Sequence, residues 1–409
     1  MFRNKNLLIL FFTMVVMMLG FGIIIPIMPF YVERFGAGGT QLGMMMAIFS
    51  LMQFIFSPIW GDISDRIGRK PVLVLGVLGN AISMVLFALA PSMFWLIVSR
   101  GLGGILSAAT LPTAMAYISD STSSENRGGG MGVIGAAMGV GMILGPGLGG
   151  VTAEISLQAP FLMAAAMSTI AMLLIWALLP ESLPEDQRTV STSKVKGPNL
   201  PLMLESLRGP LGFLLFLAFL VNFGLANFEG IFGLYAQERF NYGPAEVGSI
   251  MTVIGIVSVI IQGAVTGLAT RKLGEVMVIL LSLIGSAVGF ALMLIAVDYA
   301  TVLLTVGFFV FTNAMLRPVI ASLASKMTQG GQGMALGMNN AFQSLGRVIG
   351  PLLAGLMFDI DIRLPYSSAA VIMLVSFALA MVWLRRGPAR EAGSPQHLRD
   401  LNRSEATGD

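Results

Sequence analysis

Along the 409 residues, apolar runs of about twenty positions alternate with short polar breaks, and most of the charge lies in the breaks. Twelve runs can be placed, at 7–32, 42–60, 72–90, 93–118, 131–153, 159–179, 212–236, 244–270, 276–296, 300–324, 334–357 and 366–384. They are near or above the ~20 residues that carry a helix across ~30 Å of hydrocarbon, and they lack the period-2 alternation of a membrane strand. The pattern predicts an all-α polytopic membrane protein with twelve transmembrane helices. The first run is too long for a signal-peptide core and has no A-x-A-like exit, so it reads as a retained first helix.

The pattern also repeats. A shift of 206 places lays GDISDRIGRK (61–70) on GLATRKLGEV (267–276), matching Gly61 with Gly267, Gly68 with Gly274 and, further on, Pro112 with Pro318. A shift of 205 lays GMILGPGLGG (141–150) on GRVIGPLLAG (346–355) and Glu154 on Asp359. The reading is two six-helix halves in the same orientation, 1–180 and 211–385, joined by a linker at 181–210 and followed by a tail at 386–409. Such parallel repeats build one large transporter architecture.

Composition agrees: 56% of residues are hydrophobic and 11% charged, against about a quarter charged in a soluble domain. With the N-terminus inside, the inner segments hold 18 of the 24 Lys and Arg residues and the outer segments three (Arg34, Arg239, Arg363). The positive-inside rule therefore puts both termini and the linker in the cytoplasm. The formal charge of +3 reflects that topology and gives a nucleic-acid partner little support. Cysteine is absent and the only histidine, His397, sits in the polar tail, so cysteine and histidine catalysis and thiolate metal sites are excluded. There is no G-x-x-x-x-G-K-[ST], which removes an ATP-driven pump. An aspartyl or seryl membrane enzyme stays formally open. The Met-rich runs (Met14, Met17, Met18 and Met44–Met46) read as lipid-facing or adaptable core rather than a metal site.

Three motifs carry a resemblance. GDISDRIGRK is similar to the loop 2–3 signature G-x-x-x-D-R-x-G-R-K of the major facilitator superfamily. LGFGIIIPIMP (19–29), with Gly20, Pro26 and Pro29, resembles the helix 1 motif of that superfamily's twelve-helix drug:proton antiporters. GMILGPGLGG, with Gly141, Gly145, Pro146, Gly149 and Gly150, resembles their helix 5 antiporter motif. The helix 7 run FGLANFEGIFGLY (223–235) is similar to the multidrug exporters of Gram-positive bacteria.

The resemblance implies a multi-pass plasma (inner) membrane antiporter, a monomer without cofactors. Powered by the proton gradient, it would export amphiphilic small molecules of quinolone- or tetracycline-like kind by alternating access. Export or flipping of a specific metabolite or glycolipid by the same machinery is the alternative, and a passive uniporter a further one.

The opening signature predicts a tight cytoplasmic turn. Gly61 is expected to allow close backbone approach, Gly68 a positive φ, and Pro71 to open the next helix. Asp65, with Arg66, Arg69 and Lys70, is expected to form an ion-pair latch with Arg127 and Asp120 of DSTSSENRGG (120–129). For the cations, mere obedience to the positive-inside rule is the competing reading. In the second half Arg271 replaces Asp65 and Glu275 replaces Arg69, so the latch reads as one-sided.

Ionisable residues inside spans are expensive and therefore informative, about 2.5–3.5 kcal/mol each on insertion scales. Away from the ends of the runs, only Glu229 is acidic. It shares a helix 7 face with Asn222, Ala226 and Gly233. Charge on a carboxyl between apolar walls is costly, which suits a group that takes a proton on one side and releases it on the other. By resemblance it matches a coupling and substrate-binding acid. Arg100, followed by Gly103, Gly104 and Ser107, matches the arginine of the family's helix 4 motif, although Gly103 stands where glutamine is usual. Asn313 and Arg317 share a helix 10 face, with Ala314 where some relatives place a second acid; Asn340, Gln343 and Arg347 form a polar face of helix 11. Cavity lining and structural pairing are both open for these arginines and for Glu229. Three in-span arginines against one glutamate weaken a preference for cations and leave zwitterionic or acidic amphiphiles, or a lipid-like headgroup, as substrates. The resemblance implies that the helix 5 glycines pack against helix 8 and seal the outer half, a plain G-x-x-x-G packing surface being the competing reading, and Pro146 is expected to bend the span.

Overall fold

A computed structural model describes residues 5–123, 126–188, 197–198, 200–209, 211–327 and 332–385. The tail with His397 and much of the linker lie outside the described residues. Twelve helices are long and apolar enough to cross a membrane: α1 Lys5–Glu33, α2 Gly39–Ile67, α3 Arg69–Ala88, α4 Met93–Ser121, α5 Arg127–Ala153, α6 Ala159–Leu178, α7 Gly212–Phe240, α8 Pro244–Leu273, α9 Glu275–Met293, α10 Tyr299–Lys326, α11 Met334–Ile360 and α12 Leu364–Trp383. They correspond one to one with the predicted runs and extend several of them by a turn or more.

Two spans are broken in the same place. In α4 the helix stops at Ser107 and restarts at Thr110; in α10 it stops at Asn313 and restarts at Leu316. Pro112 and Pro318 explain both, because each removes the donor owed to the carbonyl four residues back, at Ala108 and Ala314. The interhelical turns repeat likewise: Gly68 has φ +105° between α2 and α3, and Gly274 φ +79° between α8 and α9. In α8 a π-turn runs over Ile261–Val265.

By contacts the chain forms two compact units. One comprises Met1–Asn199 with Glu229–Gly255 and Pro351–Ile362; the other comprises Leu200–Phe228, Ile256–Gly350 and Arg363–Asp409. In the first, α1 packs on α5 and α6, α3 on α4 and α6, and α2 on α4. Its core joins Leu10, Met14 and Met17 of α1 to Leu73, Val77, Tyr117, Ile134 and Ile175. Toward the Glu33 end of α1 a ring cluster takes over, Tyr31 stacking on Phe87 with Phe161 against both, while the Tyr31 hydroxyl donates to the Ala88 carbonyl at 2.7 Å. In the second unit α9 packs on α10 and α12, with Phe290 against Phe309 and Tyr366. Burial of the Met residues follows their phase: Met14 and Met45 are inside, Met44 outside.

Candidate functional site

At the α2–α3 turn the chain builds a charge network around Arg69, which is buried although it opens a helix. Its guanidinium pairs with Asp65 one turn back across Gly68, donates Nε to Asp120 Oδ2 of α4 at 2.9 Å, and donates Nη1 to Ser64 Oγ at 2.7 Å. A second carboxylate serves the backbone. Glu181, just past α6, accepts the N–H groups of Arg69 at 2.9 Å and Lys70 at 3.1 Å, capping the start of α3. Such N–H groups have no partner within the helix, and the helix dipole favours an anion there. Gly68 is required twice over: its φ is positive, and a side-chain carbon on it would lie 2.5 Å from Glu181 Oε2.

Three expectations change here. Asp65 pairs with Arg69 and not with Arg127, whose guanidinium donates to the Ser119 carbonyl at 3.3 Å, eight residues back along its own chain segment. Gly61 meets open space where a side chain would stand, so close backbone approach is not its role in this structure. Arg66 pairs with Asp62 at 2.7 Å, and Lys70 contributes its backbone to the Glu181 cap. The second half is not bare either. Glu275 and Lys326, the counterparts of Arg69 and Asp120, form an ion pair with the signs exchanged.

The glycines of α5 face two helices. Gly141, Gly145 and Gly149 lie against α1, with the place of a Gly145 side chain 2.8 Å from the Leu19 carbonyl and 2.9 Å from Gly22. Gly150 turns to α8, the place of its side chain lying 2.6 Å from the Pro244 carbonyl, and that of Gly147 meets Thr252. Helix 1 thus takes most of the face expected to meet helix 8. The α5 helix runs unbroken through Pro146, and the carbonyl that Pro146 leaves free, on Met142, lies 3.0 Å from the place of a Gly255 side chain on α8. In α1, likewise uninterrupted, Pro29 packs on Gly233, while the place of a Gly20 side chain is 3.4 Å from Asn80 Nδ2; Pro26 is buried.

Inside the spans, Arg100 is 3% exposed, lies over the Phe49 ring at 4.1 Å, and its Nε has no partner among the described residues. A side-chain carbon on Gly103 would stand 2.4 Å from Ser83 Oγ, so α4 and α3 pack closely there. Asn222 is buried and donates to the Ala218 carbonyl at 2.9 Å; Glu229 is half-buried. Arg317 donates to Gln343 at 3.3 Å, which joins the predicted faces of α10 and α11. Arg347 donates to Ser344 at 3.2 Å, and Asn313 is buried with an unpartnered amide nitrogen among the described residues. Of the three in-span arginines only Arg100 is buried: Arg317 and Arg347 are exposed, since long stems on a span carry their heads away from its packed face. Asn340 is exposed too.

The Major Facilitator Superfamily profile matches residues 10–310 and 214–403. The chain belongs to the Major Facilitator Superfamily. Multidrug resistance protein 2 of Bacillus subtilis is 35% identical over 92% of this chain and 94% of its own length, and multidrug resistance protein 1 of the same organism 36% over 93% and 97%. Quinolone resistance protein NorA of Staphylococcus aureus is 31% identical over 93% and 96%. Among solved structures, the nucleoside transporter NupG superposes with a TM-score of 0.79 at 15% identity, covering 93% of this chain and 100% of its own. These proteins are membrane transporters and not enzymes, and this chain is a multi-pass plasma-membrane transporter of the same superfamily.

Within that superfamily fold, sequence reasoning passed over Glu181, Ser64 and Asn227. Glu181 follows a proline at the end of a span and looked like linker. Asn227 is fully buried with neither side-chain atom partnered among the described residues, two positions from Glu229 but on another helical face. The helical period that picked Asn222 is the same signal that set Asn227 aside.

Proposed function

We propose that the protein is a proton-coupled antiporter that exports amphiphilic small molecules by alternating access, with both termini in the cytoplasm. One observation carries the reading: among the described residues Glu229 is the only acid deep within a span, half-buried in α7 on a segment that also holds the buried polar groups of Asn222 and Asn227. A carboxyl there can hold a proton or meet a cationic group, and a single site that does either by turns couples the two fluxes. The names of the relatives, multidrug and quinolone resistance proteins, supply the substrate class. Three in-span arginines against one glutamate weigh against a purely cationic preference and leave zwitterionic or acidic amphiphiles as substrates.

The α2–α3 network is the conformational element on the cytoplasmic side, and Arg100 and Arg317 stand with Glu229 as cavity and coupling residues. The gradient is the energy source, and no cofactor enters the cycle.

Substrate-stimulated proton movement in proteoliposomes tests the assignment. Glu229→Gln keeps size and hydrogen bonding but cannot cycle a proton. Concentrative efflux is expected to vanish while exchange of substrate down its own gradient survives in part. A Glu229→Gln protein that still accumulates substrate under a proton gradient overturns the reading, and wild-type transport indifferent to the gradient would identify a uniporter.

A further inference from the structure

The first compact unit contains two helix junctions made from repeat-related sequence. At one, Gly150 of α5 lies against Pro244 and Gly248 of α8; the place of a Gly248 side chain is 2.5 Å from the Pro146 carbonyl. At the other, Gly355 of α11 lies 2.1 Å from the Gly39 carbonyl by the same measure, and Gly43 of α2 is 2.1 Å from the Pro351 carbonyl. Pro146 and Pro351, Gly150 and Gly355, and Gly43 and Gly248 are repeat partners at the 205 shift. The helix 5 motif therefore has a working copy in α11, and each copy brings backbone against backbone.

The two junctions differ beyond the paired glycines, where Gly39, Thr40 and Asp359 stand in place of Pro244, Ala245 and Glu154. One turn beyond Gly355, Asp359 turns its carboxylate onto the start of α2. Oδ1 accepts the Gly39 N–H at 2.7 Å, and Oδ2 accepts the Thr40 N–H at 2.9 Å together with the Thr40 hydroxyl. Gly38 and Gly39 keep the approach open, since a side-chain carbon on Gly38 would stand 2.9 Å from Oδ1. Glu154, the repeat partner of Asp359, is exposed at the end of α5. Before α8, the Gly243 N–H is taken by Glu246 of α8 itself at 2.9 Å.

We propose that Asp359 is the latch of the outer side: its carboxylate ties α11 of the second repeat to α2 of the first and holds the outer ends together until the cavity turns outward. A cap within one repeat, such as Glu181 on α3, can persist through the cycle. A cap between repeats must break at each outward opening, when the two N–H groups and the carboxylate return to water. The proposal rests on the alternating-access reading above. Its test needs neither substrate nor proton gradient, so the two can fail separately.

The chain has no cysteine, so one reporter is clean. Ala354 on α11 is fully buried, and Ala354→Cys is labelled in intact cells with a membrane-impermeant maleimide. Asp359→Ala in that background is expected to raise the labelling rate roughly fivefold by shifting the population toward the outward-open state. Gly38→Ala, which displaces the carboxylate without altering it, is expected to act in the same direction and decides the matter if Asp359→Ala is poorly produced. Glu154→Ala is expected to leave the rate unchanged. Labelling unaltered by both Asp359→Ala and Gly38→Ala overturns the latch. An equal rise with Glu154→Ala also overturns it, by showing that surface charge alone is responsible.

Discussion

The α2–α3 and α8–α9 turns have one backbone and two chemistries. Both pass through a glycine at positive φ, Gly68 and Gly274, and both set a charged residue at the first position of the next helix. In the first repeat that residue, Arg69, is buried between Asp65, Asp120 and Ser64, and Glu181 caps the helix above it. In the second repeat, Glu275 meets Lys326, whose side chain is 49% exposed, and the place of a Gly274 side chain is empty. The helix starts diverge as well. Asp298 caps α10 by accepting the Thr301 N–H at 2.8 Å, and that bond holds its carboxyl below the ordinary value, whereas its partner Ser92 makes no side-chain cap on α4. Duplication preserved the geometry, which turns on a few glycines and prolines. The charges were free to change, because an exposed pair contributes only ~0–1 kcal/mol while a buried hub ties several elements to one another.

Neutralising the hub's exposed acid is the strongest way to test this difference. Asp65→Asn keeps the side chain's size and is expected to fold normally, yet to cut transport by about tenfold, equivalent to ~1.4 kcal/mol on the conformational step. Its melting temperature in detergent should stay near that of the wild type. Transport at the wild-type rate would make the network a scaffold and the two turns functionally alike.

The paired glycine substitutions come next. Gly68→Ala and Gly274→Ala both place a side chain at positive φ, a strain of roughly 1–2 kcal/mol. Only at Gly68 does the new carbon also strike a carboxylate, 2.5 Å away. Thermal unfolding should therefore show the larger loss for Gly68→Ala, and transport should fall only there. Equal losses would mean that the Glu181 cap adds nothing.

The smallest effect is expected at Glu275→Gln, which breaks the pair with Lys326. The loss in stability should be about 0.5 kcal/mol or less, with transport unchanged in proteoliposomes. A loss comparable to Asp65→Asn would restore a two-sided latch.

Much of this molecule was open to reading along the chain. Twelve spans and the repeat itself followed from apolar run length and from matched glycines and prolines, since a bilayer leaves a chain few ways to satisfy its backbone, although α2 runs seven residues past the expected end at 60. The breaks in α4 and α10 were not part of the run pattern, although they sit at Pro112 and Pro318, whose missing donors act within their own helix. Gly68's positive φ is local in the same sense.

What lay beyond the sequence were the partners of charged and small residues. Asp65 could have met Arg127 or Arg69, the helix 5 glycines could have faced α8 or α1, and the three in-span arginines could have lined a cavity or paired within the packing. Those choices depend on which side chains meet across α2, α4 and the end of α6, and on where a span's packed face ends. Glu181 shows the reason most plainly: a carboxylate 112 positions from Arg69 along the chain caps it in space. Spans and turns are set by forces acting within about twenty residues and were fixed by the sequence alone; the network, the seams and the Asp359 cap arise from contacts between distant segments, and only the tertiary structure decided them.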